Sequence, residues 1–249
     1  MSTSVSPLAV RDATVAQPTA RQFVRFAFFA VDPSWRRLPV EQRAQHRAEF
    51  ERVVADFADR DNLLLRTYTC MGTRGDADFM LWLVSDDIDV FQELSAALNQ
   101  TALSGWLSRP HNYFSMTKKS MYVEKHVHEG QEGRSNRMVI APTGRKHLFV
   151  YPFVKTRAWY RLAAEERQRQ MSEHIAMGHK YPSVKINTTY SFGLDDQEFV
   201  VAFESDVVAD FLDLVHEMRE SEASTHTVRD VPSFTCTQME IGEILTALG

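Results

Sequence analysis

The sequence predicts an α+β protein in which one βαββαβ unit is used twice, and three observations predict it. The first is self-similarity. Asp76, Phe79, Ser85, Asp86, Phe91 and Leu94 recur 120 residues later as Asp196, Phe199, Ser205, Asp206, Phe211 and Leu214. One offset held through a strand, a turn and a helix marks a supersecondary unit built twice. The second is periodicity. Aromatic and β-branched runs alternate with stretches of helical spacing in the order strand, helix, strand, strand, helix, strand, and that order then recurs. The third is size. A chain of 249 residues, 44% of them hydrophobic, can build two cores of about 110 residues each. The unit is the ferredoxin-like one. Two tandem copies whose sheets pack together form a pseudo-symmetric α/β barrel, with room for a ligand between sheet and helices.

Residues 1–20 are rich in Ser, Thr, Ala and Pro, without the cationic start and long apolar core of a signal peptide, so a disordered tail is expected. The first domain spans 21–124. Residues 22–32 (QFVRFAFFAVD) read as a strand. Residues 39–60 carry Phe50, Val53, Val54 and Phe57 at helical spacing. Strands follow at 63–71 and 78–84, around the turn MGTRGD. A helix is expected over 88–107, with Asp86 or Asp87 as N-cap, and a closing strand over 113–123. Residues 125–146 are polar and Gly-containing and read as a linker. The second domain, 147–249, repeats the order: strand 147–155, helix 158–180, strands 184–192 and 198–204, helix 207–222, strand 228–239.

Composition excludes several classes. Net charge is −5, from 28 basic and 33 acidic residues, which suggests neither a nucleic-acid partner nor an anionic membrane surface. No apolar run approaches the roughly 20 residues of a membrane span. Cys70 and Cys236 form no CxxC pair, so a cytoplasmic protein without disulfides is expected. The glycine-rich nucleotide loops, HExxH and GxSxG are absent.

Against this scaffold a few residues stand out. On the 120-residue offset, His174 falls where the first copy has Val54. It shares a helix stripe with Met171, Met177 and Gly178. An imidazole flanked by thioethers on an inward face suits an axial ligand to haem iron. A core histidine bonded to a backbone carbonyl fits the same pattern. Tyr151, Phe153 and Lys155 alternate along one strand face. Lys155 there could meet an anionic group such as a propionate, or be a solvated edge lysine. Glu222 could accept the Nδ1 proton of His174. The pair His126 and His128 has no third metal ligand in view and reads as linker.

The runs HLFVYPFVKTRAWY, EER…MSEHIAMGHKYP, YSFGLDD and RESEAS resemble the chlorite dismutase superfamily, within it the coproheme decarboxylases, over about residues 22–240. The resemblance implies paired ferredoxin-like domains assembled as homopentamers, with an iron porphyrin (coproheme III or haem b) in the second domain. It puts His174 at the proximal iron ligand and Glu222 at its hydrogen-bond partner. Tyr151 falls at the tyrosine that becomes a radical, and Lys155 at the lysine beside it. Trp159 falls at an aromatic near the ring, and Arg137, Arg219 and Ser224 at propionate-binding positions.

Where chlorite dismutases carry a distal arginine, seven residues before Gly193, this chain has Ile186. Without a cation there, hypochlorite is not held for recombination, so chlorite dismutation is not expected. One branch of the decarboxylases has glutamine at that position. Another has alanine and uses a histidine from elsewhere. The nearest candidates to such a group here are Lys118 and Lys119. The expectation is a peroxide-dependent coproheme decarboxylase with coproheme and hydrogen peroxide as its small-molecule substrates. The alternatives are a haem b peroxidase or chlorite dismutase-like protein of the same fold, or a haem carrier or sensor.

Overall fold

A computed structural model describes residues 21–120, 122 and 138–249. His126, His128 and Arg137 lie outside the described residues. The first half runs β1 (Phe23–Val31), α1 (Val40–Ala58), β2 (Leu64–Thr69), β3 (Phe79–Ser85), α2 (Asp89–Asn99) and β4 (Leu107–Met116). The second runs β5 (His147–Lys155), a short α3 (Arg157–Arg161), α4 (Ala164–His179), β6 (Lys185–Tyr190), β7 (Phe199–Ser205), α5 (Val208–Glu220), β8 (Thr227–Arg229) and β9 (Phe234–Gln238). A last helix, α6 (Ile241–Ala247), follows.

The strands form one continuous sheet in the order β7-β6-β4-β1-β3-β2-β9-β5-β8, and β7 pairs back onto β5. The sheet therefore closes into a barrel. Each half contributes the antiparallel order expected of a ferredoxin-like unit, β4-β1-β3-β2 and β9-β5-β7-β6. The seams are narrow: Met116 faces Tyr190 at one, and Tyr68 and Thr69 face Gln238 and Thr237 at the other. Inward side chains such as Phe26, Phe28, Tyr68, Trp82, Leu148, Val200 and Phe234 fill the interior as one packed cluster. The barrel is thus a core and not a channel.

Helices cover the outside. In the first half α1, α2 and α6 bury Phe29, Phe50, Val54, Phe79, Leu94, Leu98, Ile244 and Leu245 together. The C-terminal helix, which the periodicity reading does not include, lies on the first half although it follows the last strand of the second. The second half buries Phe149, Val184, Phe203 and Leu214 under α4 and α5.

Several boundaries differ from expectation for identifiable reasons. The helix expected over 88–107 stops at Asn99, because the Thr101 hydroxyl donates to the Leu98 carbonyl (2.7 Å), and a 3-10 turn over Ala102–Trp106 follows. Strand β4 begins at Leu107, well before residue 113. It carries Pro110 at a bulge, where the register against β1 shifts between Phe28 and Ala30, and a proline in a polar run masks a strand. The helix expected over 158–180 splits into α3 and α4. The expected last strand splits into β8 and β9 around Pro232, which has no N–H for the ladder. The end of the expected linker is pinned to both halves: the Ile140 N–H donates to the Gln22 carbonyl oxygen Oε1 (2.6 Å) and the Thr143 N–H to Glu204 (2.7 Å).

Register refines the internal repeat. Phe29 faces Phe79 whereas Phe153 faces Phe199, so β5 runs 124 residues after β1 while β7 keeps the 120 offset to β3. The difference is absorbed by α4, which is 16 residues long against 19 for α1. Losing about one turn preserves which face points inward. His174 therefore corresponds to Val54 counted from the helix end and to Phe50 counted from its start. Both are fully buried apolar residues.

Candidate functional site

Helix α4 carries Glu166, Gln170, His174 and Gly178 at four-residue intervals, which sets them along one face. Gln170 is fully buried. The Nδ1 atom of His174 is sealed from solvent and has no hydrogen-bond partner among the described residues. Burial, and secondarily the nearby Lys155 charge, lowers the imidazole pKa to about 4. The ring is therefore neutral at physiological pH, with a lone pair free for a metal. An added Cβ at Gly178 would meet the Ile186 and Met218 side chains only at 3.7 and 3.8 Å, so that turn of α4 lies close against β6 and α5.

Strand β5 supplies the facing groups. Tyr151 packs on Phe203 at 5.8 Å between ring centroids. Its phenol pKa is raised, chiefly by burial and then by Asp230, with Arg219 opposing. Lys155 is half-buried. Its ammonium donates to the Ala223 carbonyl (2.8 Å) and lies 4.3 Å from the Trp159 ring centre. Burial lowers its pKa to about 8. No carboxylate pairs with it among the described residues. Its backbone is held by Glu198, which accepts from the Lys155 N–H (2.8 Å), from the Tyr160 hydroxyl (2.6 Å) and from Arg157 (3.3 Å).

The sheet facing α4 is apolar in rows. Ile186, Phe203 and Phe149 share one cross-strand row; Thr188, Val201 and Tyr151 share the next; Tyr190, Phe199 and Phe153 the third. Ile186 is 43% exposed and offers no charge. Lys118 sits with its ammonium 5.7 Å from the Tyr190 ring, and both Lys118 and Lys119 are exposed.

Other expected groups are differently engaged. Glu222 does not reach His174; its carboxylate accepts from Arg169 and from Gln170 Nε2 (3.1 Å). Arg219 forms an ion pair with Asp230. The Ser224 hydroxyl lies 2.7 Å from the carbonyls of Arg219 and Ser221, so its one proton is used to close the helix end. Trp159 is buried in a turn capped by Thr156, and Trp35 occupies the same place 124 residues earlier, also buried.

Residues Glu166, Arg169, Gln170 and Glu198 are absent from the sequence-based candidates. The four-residue recurrence of polar side chains on an inward helix face was the available signal for Glu166 and Gln170. An open cleft of about 460 Å³ against α2 is lined by Arg25, Phe91, Asn112 and Phe114. Arg25 there is held by Asn112 and Ser95, and the titratable groups described above lie elsewhere, so chemistry rather than volume marks the site.

These residues fit an iron porphyrin. A neutral imidazole with a sealed, unpaired Nδ1 can ligate through Nε2, an aromatic and aliphatic wall faces it, and a half-buried cation awaits an anionic substituent.

Comparison with known proteins agrees. The chlorite dismutase family model matches residues 17–239. A coproheme decarboxylase from Mycolicibacterium smegmatis is 28% identical over 234 residues, covering 91% of this chain and 94% of the relative. A solved mutant of chlorite dismutase from Candidatus Nitrospira defluvii superposes with a TM-score of 0.80 at 27% identity, covering 91% of this chain and 94% of that one. A putative chlorite dismutase at 20% identity shares the fold with a TM-score of 0.78, over 93% of this chain and all of that one. Among the described residues no helix is long and apolar enough to cross a membrane. By sequence and by fold, the chain belongs to the chlorite dismutase family.

Proposed function

We propose that the protein is a coproheme decarboxylase, converting the two reacting propionates of coproheme to vinyl groups at the expense of hydrogen peroxide. The observation that carries this reading is the pairing of Tyr151 with Lys155 on the β5 face, opposite a neutral His174. The coproheme decarboxylase among the relatives supports the same reaction class.

His174 would hold the porphyrin iron through Nε2. The iron, when bound, supplies the oxidising equivalents taken from peroxide. The work of the chain is positioning and hydrogen transfer. Lys155 orients a propionate carboxylate by a charge-assisted bond. Tyr151 gives up its phenolic hydrogen and then takes a hydrogen from the β-carbon of that propionate. Loss of carbon dioxide leaves the vinyl group and releases a second electron, taken up by the oxidised porphyrin iron when bound. Each cycle consumes one peroxide and releases one carbon dioxide and two waters. Trp159 walls the lysine. Arg219 must exchange Asp230 for a carboxylate to contribute, and Arg137 is assigned by resemblance alone. Ile186 gives an oxyanion no cation, so sustained oxygen release from chlorite is not expected.

A haem b peroxidase is the second reading, favoured by the prior engagement of Arg219 and Ser224 within the protein. Purified protein is incubated with coproheme and titrated peroxide, and the porphyrin is weighed by mass spectrometry. Stepwise loss of two carboxyl groups supports the decarboxylase. Intact coproheme together with oxidation of a small dye supports the peroxidase.

A further inference from the structure

Four buried polar side-chain atoms lack a partner among the described residues, and three lie on α4: Arg167 Nε, Gln170 Oε1 and His174 Nδ1. Buried unpaired polar atoms are rare and each calls for an explanation. Two of these, Gln170 Oε1 and His174 Nδ1, lie one turn apart on α4 and are not bonded to each other in the porphyrin-free protein.

Gln170 is 1% exposed and sits on the stripe that in α1 is held by Phe50 and Val54. An amide in a core slot costs free energy unless its groups are bonded. Its Nε2 donates to Glu166 Oε1 (2.8 Å) and to Glu222 Oε1 (3.1 Å). Both neighbours are carboxylates and only accept, so the amide cannot be turned over. Its NH2 belongs to them and its carbonyl remains to accept. One turn later, a His174 that ligates through Nε2 must carry its proton on Nδ1 and needs an acceptor. Side chains on a helix lean toward its N-terminus, which inclines the imidazole toward the turn that holds Gln170.

We propose that Gln170 is the positioning residue for His174, its carbonyl accepting the Nδ1–H bond, with Glu222 acting one step further out. The chain Arg169–Glu222–Gln170–His174 replaces the direct carboxylate–histidine pair that the resemblance implied. A neutral amide draws less on the Nδ1 proton than a carboxylate, so the ring stays closer to neutral imidazole. This inference rests on His174 being the porphyrin ligand.

The test uses the whole chain loaded with zinc protoporphyrin, which is diamagnetic, and follows the His174 Nδ1–H resonance by nitrogen-15 NMR alongside porphyrin affinity. Gln170→Leu should move that resonance upfield, speed its exchange with water, and weaken binding about 10-fold. Gln170→Glu should move the resonance further downfield than in the wild type. Glu222→Gln, which keeps an acceptor for Gln170, should leave it nearly in place. The reverse pattern, with Glu222→Gln abolishing the signal and Gln170→Leu sparing it, overturns the proposal and leaves the ligand assignment standing. If the leucine variant fails to fold, the glutamate variant decides: an unmoved resonance overturns the proposal. Equal zinc-porphyrin binding by wild type and His174→Ala removes His174 from the site, and this inference with it.

Discussion

The two halves of the barrel share a sheet plan and differ in what their helices do with it. Under α1 and α2 the slots are filled by Phe50, Val54, Phe57, Leu81, Leu83 and Leu94, and α6 with its C-cap closes the margin through Ile244, Leu245 and Leu248. Under α4 and α5 the corresponding inward stripe reads Gln170, His174 and Met177; among the described residues nothing equivalent to α6 covers this half, and Phe149, Val184, Phe203 and Leu214 form its buried cluster. The first half is a packed layer that stabilises the barrel. The second has a smaller buried cluster and a polar stripe, Gln170 and His174, on α4, with three unpaired buried atoms on that helix among the described residues.

The largest effect expected from breaking this asymmetry is chemical. Tyr151 stands at the register position that Ala27 holds in the first half, so no scaffold duty explains its phenol. Tyr151→Phe keeps the ring's packing on Phe203 and removes the oxidisable O–H. It should bind coproheme with near wild-type affinity and release no carbon dioxide on peroxide addition, by mass spectrometry of the porphyrin. Decarboxylation in the variant would remove Tyr151 as the hydrogen carrier. His174→Ala should differ in kind, losing porphyrin binding itself.

Next is stability, where the halves should respond oppositely. Phe50 is fully buried between Phe29 and Phe79, at ring-centroid distances of 6.3 and 6.0 Å. Phe50→Ala should cost about 3–5 kcal/mol. His174→Leu removes a buried polar atom that has no partner among the described residues, and should stabilise the porphyrin-free protein by about 1–3 kcal/mol. Urea unfolding of both variants checks the pair. Destabilisation by His174→Leu would mean the imidazole is already satisfied and the second half is as finished as the first.

Much of this asymmetry was legible in the sequence, because it lies in elements with strong periodicity. The alternation Tyr151, Phe153, Lys155 and the helical stripe through His174 survive unchanged in the structure. What was not legible depends on neighbours distant in the chain. Pro110 hid the start of β4, since a bulge that tolerates proline is a property of the β1–β4 pair. The docking of α6 on α1 crosses the β2–β9 seam between the halves and has no local signature. The engagement of Glu222 by Arg169 and Gln170 instead of His174 is a choice among several acceptors and donors within reach, which spacing alone cannot rank.

A smaller effect separates Lys155 from its surroundings by pH. Burial lowers its folded pKa to about 8, against an ordinary value near 10.5. The charged form is therefore disfavoured in the folded, ligand-free protein. That penalty is absent above the unfolded pKa and sets in as pH falls toward 8, so apo stability should rise from pH 8 toward 10.5. Anion binding runs the other way. Affinity for a carboxylate-bearing porphyrin should fall as pH passes 8, by up to tenfold per pH unit, and the dependence should vanish in Lys155→Met. A profile identical in wild type and Lys155→Met would separate this lysine from the propionates.

The smallest expected effect tests what the halves have in common. The 3-10 turns Ala102–Trp106 and Glu222–His226 are related by the 120 offset, so Ser224 has a twin in Ser104. Each hydroxyl bonds carbonyls at the end of the preceding helix: Leu98 for Ser104, Arg219 and Ser221 for Ser224. A hydroxyl has one proton, and a propionate needs a donor, so Ser224 cannot close its helix and hold a carboxylate at once. If its duty is the inherited one, Ser104→Ala and Ser224→Ala should each cost about 1 kcal/mol of stability, and neither should alter coproheme affinity measurably. Thermal unfolding and a Soret titration on the two variants give both numbers. A Ser224→Ala protein of unchanged stability that binds coproheme about 10-fold more weakly would show that the second half has recruited even its shared scaffold to the site, and that shared residues in this barrel cannot be assumed to be structural alone.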